Sequence, residues 1–237
     1  VTPTFAAAKD DPAWSVALDR HDSAPGDGPP PVLVWFATTD DGRDLAPDDL
    51  VRLTAGAAAH RVVVRDVDHC WYQRGLRGRS RDAVATVAVL TGLLDDLGPG
   101  RRVFVGSSSG AYAAVLFGVL CGADEVVAFA PAASLTRSGR LRARDRRWRR
   151  AVARARRSAR HRGHLELVRL LDGRVHRTRI AVHHGEEDRS DARHAERLAG
   201  LPGVTVTSHA GGHEVLGWLD DRGEAVPLLE AALRPAP

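Results

Sequence analysis

Cysteine is scarce in this 237-residue sequence, with only Cys70 and Cys121 present. Two are too few for a disulfide framework or a Cys-rich metal site, so a reducing compartment, the cytoplasm, is the simpler expectation. No run of about 18 successive apolar residues occurs, as a membrane-spanning helix would need. Val1 to Trp14 lacks the basic start and apolar stretch of an export signal. The chain therefore reads as soluble, unexported and without a membrane partner. Internal repeats are absent, and no Gly-Lys-Ser or Gly-Lys-Thr places a lysine to reach a phosphate.

What is present supports one sizeable core. A hydrophobic content of 43% in 237 residues fits a single domain spanning 1–237. Five short runs have apolar centres rich in β-branched and aromatic residues: Val32–Phe36, Arg61–Arg65, Arg102–Val105, Glu125–Phe129 and Arg179–His183. Strands buried on both faces of a parallel sheet look like this. A sixth run, Val204–Thr207, follows Leu201-Pro202-Gly203. Helical periodicity occupies Asp48–His60, Asp82–Leu97, Ser109–Cys121 and Asp191–Ala199. The alternation predicts an α/β fold, a mostly parallel central sheet with helices on both faces. Asp22 to Pro31, rich in Pro, Gly and Asp, reads as a surface connection. Residues 132–175 interrupt the alternation and are expected to form a short Arg-rich helical cap insertion.

Gly106-Ser107-Ser108-Ser109-Gly110 directly follows an apolar strand and opens an Ala-rich helix, the context a G-x-S-x-G motif requires. A nucleophile on a sharp strand-to-helix turn needs small residues two before and two after it, and only Ser108 has glycines at both places. A serine hydroxyl is a weak nucleophile until a base removes its proton, so a histidine and an orienting acid must follow in the order serine, acid, histidine. Asp188, in Gly185-Glu186-Glu187-Asp188, and His213, in Gly211-Gly212-His213, satisfy that order. Asp191 is the alternative acid, read first as a helix N-cap, while Glu186 and Glu187 are expected to face water. His209 is the nearest rival base but falls at a strand end, and His183 and His184 read as packing residues. For the oxyanion, the expected donors are the backbone N–H of Ser109 and one from Ala37 or Thr38.

On these residues the chain resembles the α/β-hydrolase superfamily from about Val32 to Leu229. More narrowly it is similar to small bacterial hydrolase-like proteins with Arg-Asp, Trp-Tyr and Gly-Leu ahead of a Gly-Ser-Ser-x-Gly turn. Here these are Arg65-Asp66, Trp71-Tyr72, Gly75-Leu76 and the residues around Ser108. Proteins of that group are often associated with surface-polysaccharide or secondary-metabolite pathways. Together with the motif, the resemblance implies a serine hydrolase, an esterase or thioesterase, or an acyltransferase. Such an enzyme works through an acyl-enzyme on a small acyl ester or thioester, with no metal or organic cofactor.

Charge is unevenly spread. Arg137 to Arg162 holds thirteen arginines and one acid, Asp145, so it carries +12 while the rest of the chain stands at −8. Two readings follow. The segment binds an anionic, carrier-linked or phosphorylated partner, which would also suit a non-catalytic hydrolase-fold binding protein. Otherwise it is a solvated helix docked through Trp148, Ala151, Val152 and Ala155, with its arginines facing water or the acidic body. No recognition motif accompanies the charge, so nucleic acid is not the expected partner. Trp71 and Tyr72 either line the pocket mouth or plug the core. Cys70 ranks below Ser108 as a nucleophile because no histidine is placed to activate it.

Overall fold

The computed structural model describes residues 2–8, 13–22, 28–38 and 47–234. In chain order these form α1 (Phe5–Ala8), β1 (Val16–Asp19), β2 (Val32–Phe36), α2 (Pro47–Leu53), β3 (His60–Val64), α3 (Ala83–Leu97), β4 (Arg102–Ser107) and α4 (Ser108–Cys121). There follow β5 (Glu125–Phe129), α5 (Arg137–Arg142), α6 (Arg149–Ser158), a 3-10 turn (Arg162–Leu165), α7 (Leu167–Asp172), β6 (Arg179–Gly185), α8 (Arg189–Leu198), β7 (Val204–His209), α9 (Val215–Asp220) and α10 (Ala225–Leu233). The connection expected at Asp22 to Pro31 lies partly outside the described residues. No described helix is long and apolar enough to cross a membrane.

The strands make one seven-stranded sheet in the order β1-β3-β2-β4-β5-β6-β7. Every neighbouring pair is parallel except β1 with β3, where Val16 faces Val64 in antiparallel register. The parallel sheet follows the alternation in the sequence. β1 was not foreseen, because four residues without strong patterning give no strand signal. Side chains leave alternate faces, as the pleat requires. Val32, Val34 and Phe36 enter a core with α3, α4, α7 and α8, while Leu33 and Trp35 enter a second core with α2, α9 and α10. α4 is buried almost all round, which explains why its sequence shows no polar face.

The helix expected over Asp48–His60 stops earlier, at Leu53. The Thr54 hydroxyl turns back to the Leu50 carbonyl at 2.7 Å. The Arg61 guanidinium then donates to the carbonyls of Thr54 at 2.6 Å and Ala57 at 3.1 Å. These bonds satisfy the helix end and release the chain into β3 at His60.

The loop after β3 settles the two readings of its aromatic pair. Trp71 and Tyr72 are buried, so they plug the core. Asp66 holds them there, its Oδ2 accepting from the backbone N–H of Cys70 at 2.6 Å and of Tyr72 at 3.0 Å. The Tyr72 hydroxyl lies 2.6 Å from the carbonyl of Ala37 and 2.9 Å from that of Val64, which ties the exit of β2 to that of β3. Trp71 packs edge-on against Tyr112, whose hydroxyl donates to the His164 carbonyl in the segment between β5 and β6. Removing the Tyr72 hydroxyl takes this donor from the Ala37 carbonyl and leaves the Val64 carbonyl with the Ala37 N–H alone. Tyr72→Phe is therefore expected to lose about 1–3 kcal/mol of stability, read as a lower urea midpoint at unchanged slope; an unchanged midpoint would contradict this role.

Candidate active site

The carboxyl ends of β2, β4, β6 and β7 open onto one edge, where open α/β sheets build their sites. β4 ends at Ser107 and α4 begins at Ser108, whose φ of +50° is unusual for a residue with a side chain. Such a conformation costs on the order of 1–3 kcal/mol and persists only where surrounding packing imposes it. Here the glycines allow that packing. A Cβ on Gly106 would collide with the backbone of Gly110, and one on Gly110 with the carbonyl of Phe36.

The turns after β6 and β7 are fastened together. Glu186 N–H donates to the His209 carbonyl and Glu187 N–H to that of Gly211, each at 2.9 Å. The close approach also needs glycine, since a Cβ on Gly185 would strike the carbonyls of Gly211 and Gly212. This pairing brings the start of α8 beside His213. His213 Nε2 lies 3.0 Å from Ser108 Oγ, and His213 Nδ1 lies 2.6 Å from Asp191 Oδ2. With Nδ1–H donating to the carboxylate, neutral His213 presents a bare Nε2 that accepts from the Ser108 hydroxyl.

The acid at the ring is thus Asp191 and not Asp188, which corrects the expectation. Asp188 is the N-cap of α8, its Oδ1 accepting from the N–H of Ser190 at 2.8 Å and of Asp191 at 3.0 Å. That work holds its carboxylate at the helix end. Asp191, on the first turn, is 2% exposed and points to the ring.

Sequence reasoning missed Arg147 altogether. Its Nη2 donates to Asp191 Oδ1 at 2.6 Å, its Nη1 to Asp188 Oδ2 at 2.8 Å, and its Nε to Asp145 Oδ1 at 3.1 Å. Nη1 also stands 3.4 Å from His213 Nδ1. Asp145 is itself buried and receives Arg140 at 3.0 Å and His194 Nε2 at 3.2 Å. Next in sequence, Trp148 lays its ring 4.9 Å from that of His213 and packs against Trp71. Val152 and Ala155 are buried as the docking face predicted, and Trp148 and Ala151 are half-buried. Segment 132–175 therefore carries α5, α6 and α7 and delivers two residues to the site. Asp188, Asp191 and His213 offer a cluster of the kind that can hold a cation, but the Arg147 guanidinium already bonds both carboxylates.

These contacts set the protonation equilibria. Burial pulls His213 down, but the hydrogen bond and charge of Asp191 outweigh it, so the imidazole titrates above its ordinary value, with Arg147 opposing. Burial pushes Asp191 up, yet the bonds from His213 and Arg147 more than offset this and hold its carboxyl below the usual range. A charged Asp191 beside a readily protonated His213 is an arrangement that can move a proton from Ser108.

Of the expected oxyanion donors, Ala37 is excluded. Its N–H is bonded to the Val64 carbonyl at 2.9 Å. Thr38 comes next to the nucleophile turn, its hydroxyl 3.2 Å from that of Ser109. The other candidate histidines have partners of their own. His209 ends β7 and pairs with His183 at 2.9 Å, and His184 hydrogen-bonds the Gly185 carbonyl. Glu186 and Glu187 are exposed, as expected. The Cys70 thiol faces Asp66 at 3.6 Å, and burial followed by that charge pushes it up to about 12, so it holds its proton.

Compared by sequence, the chain matches no family model and no curated protein. Compared by structure, it is similar to MenH from S. aureus, at 11% identity and a TM-score of 0.58, over 92% of this chain and 97% of that one. It is similar to an esterase of Pyrobaculum calidifontis at 16% identity and a TM-score of 0.62, over 92% and 80%. Capsule O-acetyltransferase of Neisseria meningitidis serogroup A aligns at 10% identity and a TM-score of 0.61, over 93% and 91%. At these identities the likeness is one of fold, and the chain has the α/β-hydrolase fold.

Arg147 places a positive charge beside the imidazole. Arg147→Gln is expected to raise the His213 pKa, followed by NMR titration of the ring proton, while Arg147→Lys leaves it nearer the wild-type value. An unmoved titration in folded Arg147→Gln would show that the guanidinium does not act on the ring.

Proposed function

We propose that this chain is a serine hydrolase or acyltransferase that acts through an acyl-enzyme on a small ester or thioester. The reading rests on one observation, the continuous line of hydrogen bonds from Ser108 Oγ through His213 to Asp191. Esterases and an O-acetyltransferase among the proteins of similar fold are consistent with it.

Ser108 Oγ attacks the substrate carbonyl carbon while His213 Nε2 takes its proton. The imidazolium that forms is stabilised by Asp191, which also fixes the tautomer. The negative oxygen of the tetrahedral intermediate is received by the backbone N–H groups of Ser109 and Thr38. Collapse expels the alkoxide or thiolate, which leaves with the proton from His213. Water, or an acceptor alcohol, then attacks the acyl-serine by the same relay run in reverse. Asp188 serves as helix cap and partner of Arg147, and segment 132–175 acts as a cap over the site through Arg147 and Trp148.

A fluorophosphonate probe is expected to label the wild type at Ser108 and to leave Ser108→Ala unlabelled at unchanged fold. Unchanged labelling of the variant would sink the nucleophile assignment. No labelling of the wild type would favour a binding protein on the same fold. With short acyl p-nitrophenyl esters or thioesters, Asp191→Asn is expected to lower kcat by about 10³ to 10⁴. Asp188→Asn should act mainly on stability, by about 1 kcal/mol or less. The reverse ranking of the two variants would restore Asp188 as the acid.

The pH dependence follows from the direction of the His213 shift. Only the neutral imidazole is a base, and its pKa is raised, so the acid limb of kcat/KM should lie above the ordinary histidine value of about 6.5. Asp191→Asn removes the charge that does most to raise it, leaving only the weaker effect of Glu214, and should move that limb to lower pH. A limb that stays in place would detach the profile from this pair.

A further inference from the structure

The arginines outside the site are unevenly paired. Many on the body meet carboxylates, as in Arg52 with Asp220, Arg77 with Asp68, Arg102 with Asp95 and Arg197 with Glu166, while others such as Arg222 lie on aromatic or solvent-facing surface. Those on α5, α6 and the loop between them largely do not meet carboxylates. Arg137, Arg140, Arg144, Arg146, Arg149 and Arg156 line one groove of about 870 Å³. Arg140 alone of these has an acid within ion-pair distance among the described residues, the buried Asp145. The reading in which these arginines pair with the acidic body therefore fails for this group.

We propose that this groove binds a multiply charged phosphate group, carried by the leaving group of the acyl donor. The anion site stands on the groove itself, and only its assignment to the leaving group rests on the acyl-transfer reading above.

Like charges gathered at close range repel one another, and in two of the groove's arginines this adds to the effect of burial. Arg156 is held below its ordinary value by partial burial and then by Arg137 and Arg157. Arg140 is lowered by burial in spite of Asp145, with Arg147, Arg156 and Arg149 adding to the effect. An anion entering here relieves that repulsion, and guanidinium groups offer phosphate oxygens paired donors in a fixed fork.

The form of the groove favours a small molecule over nucleic acid. Its volume falls in the range of about 300–1,000 Å³ usual for small-molecule sites. Its apolar lining is Leu141 and Val152, with no aromatic face on which a base could stack. Trp148, the nearest aromatic in sequence, is turned to His213 and Trp71. The groove is linked to the candidate active site through Asp145. Asp145 lines the groove, holds Arg140, and binds Arg147, which reaches Asp191. Arg146 and Arg149 bracket Arg147 and Trp148 in the chain. A phosphorylated group seated among these arginines thus lies beside the segment that touches His213.

Titration calorimetry of the full chain with sodium tripolyphosphate, in about 0.15 M salt to screen diffuse attraction, tests the site. Arg137→Gln/Arg149→Gln/Arg156→Gln is expected to weaken binding about tenfold or more, as loss of charge-assisted hydrogen bonds implies. Removal of three arginines elsewhere, Arg81→Gln/Arg222→Gln/Arg234→Gln, should leave it within about twofold, as surface charges away from a site do. A second measurement needs no variant. Tripolyphosphate should protect Arg137, Arg149 and Arg156 of the wild type from phenylglyoxal, mapped by peptide mass spectrometry, and leave Arg81 and Arg234 exposed to it. Equal affinity in the groove variant and the wild type, equal loss in the control variant, or no selective protection would each overturn the proposal. Tighter binding of an oligonucleotide, growing with its length, would overturn it in favour of a nucleic-acid track. Probe labelling at Ser108 is scored separately, so failure of the catalytic reading and failure of the anion site are told apart.

Discussion

Burial of the Asp191 carboxylate is the constraint on which the site depends. A charge taken out of water is tolerated only where both oxygens find donors. Here each finds one, His213 Nδ1 on Oδ2 and Arg147 Nη2 on Oδ1. The first bond orients the imidazole toward Ser108, and the second draws the loop between α5 and α6 onto the sheet edge. One carboxylate thereby aligns the hydrogen-bonded line from His213 to Ser108 and fastens a surface segment to it. Each donor also tempers the other, because the Arg147 charge lowers the imidazole that Asp191 raises.

The backbone arranges the approach to that carboxylate. Gly106 and Gly110 let β4 turn into α4 with Ser108 held at positive φ. Gly185 lets the turns after β6 and β7 close on each other. Neither contact tolerates a Cβ, so Ser108 and its hydrogen-bond partners are placed by close packing of main chain.

Features governed by local pattern were legible in the sequence. The central strands show as apolar runs, and the elbow shows as two glycines at fixed spacing, because the backbone conformation needs them there. The acid was not legible by the same means, since it depends on where a helix begins. Asp188-Arg189-Ser190-Asp191 has the spacing of a capping arrangement, in which the first residue binds the orphan N–H groups and the fourth stands on the first turn. Ala37 failed as a donor for a reason that sequence hides, the sheet bond of its N–H to Val64. Arg147 carried no signal, because nothing within a run of thirteen arginines sets one apart until tertiary structure surrounds it with acids.

The basic segment accordingly has two faces of different character. Arg147 and Arg140 turn inward to buried carboxylates and belong to the architecture of the site. Arg137, Arg144, Arg146, Arg149 and Arg156 face a groove whose lining acid, Asp145, is already engaged by Arg140, Arg147 and His194. A uniform run in the sequence becomes a structural clamp on one side and an electropositive surface on the other. The account turns on the proton between His213 and Asp191. A downfield imidazole N–H resonance should be present in the wild-type protein, persist in Asp188→Asn and vanish in Asp191→Asn; its survival in Asp191→Asn, or its loss in Asp188→Asn alone, would contradict the account.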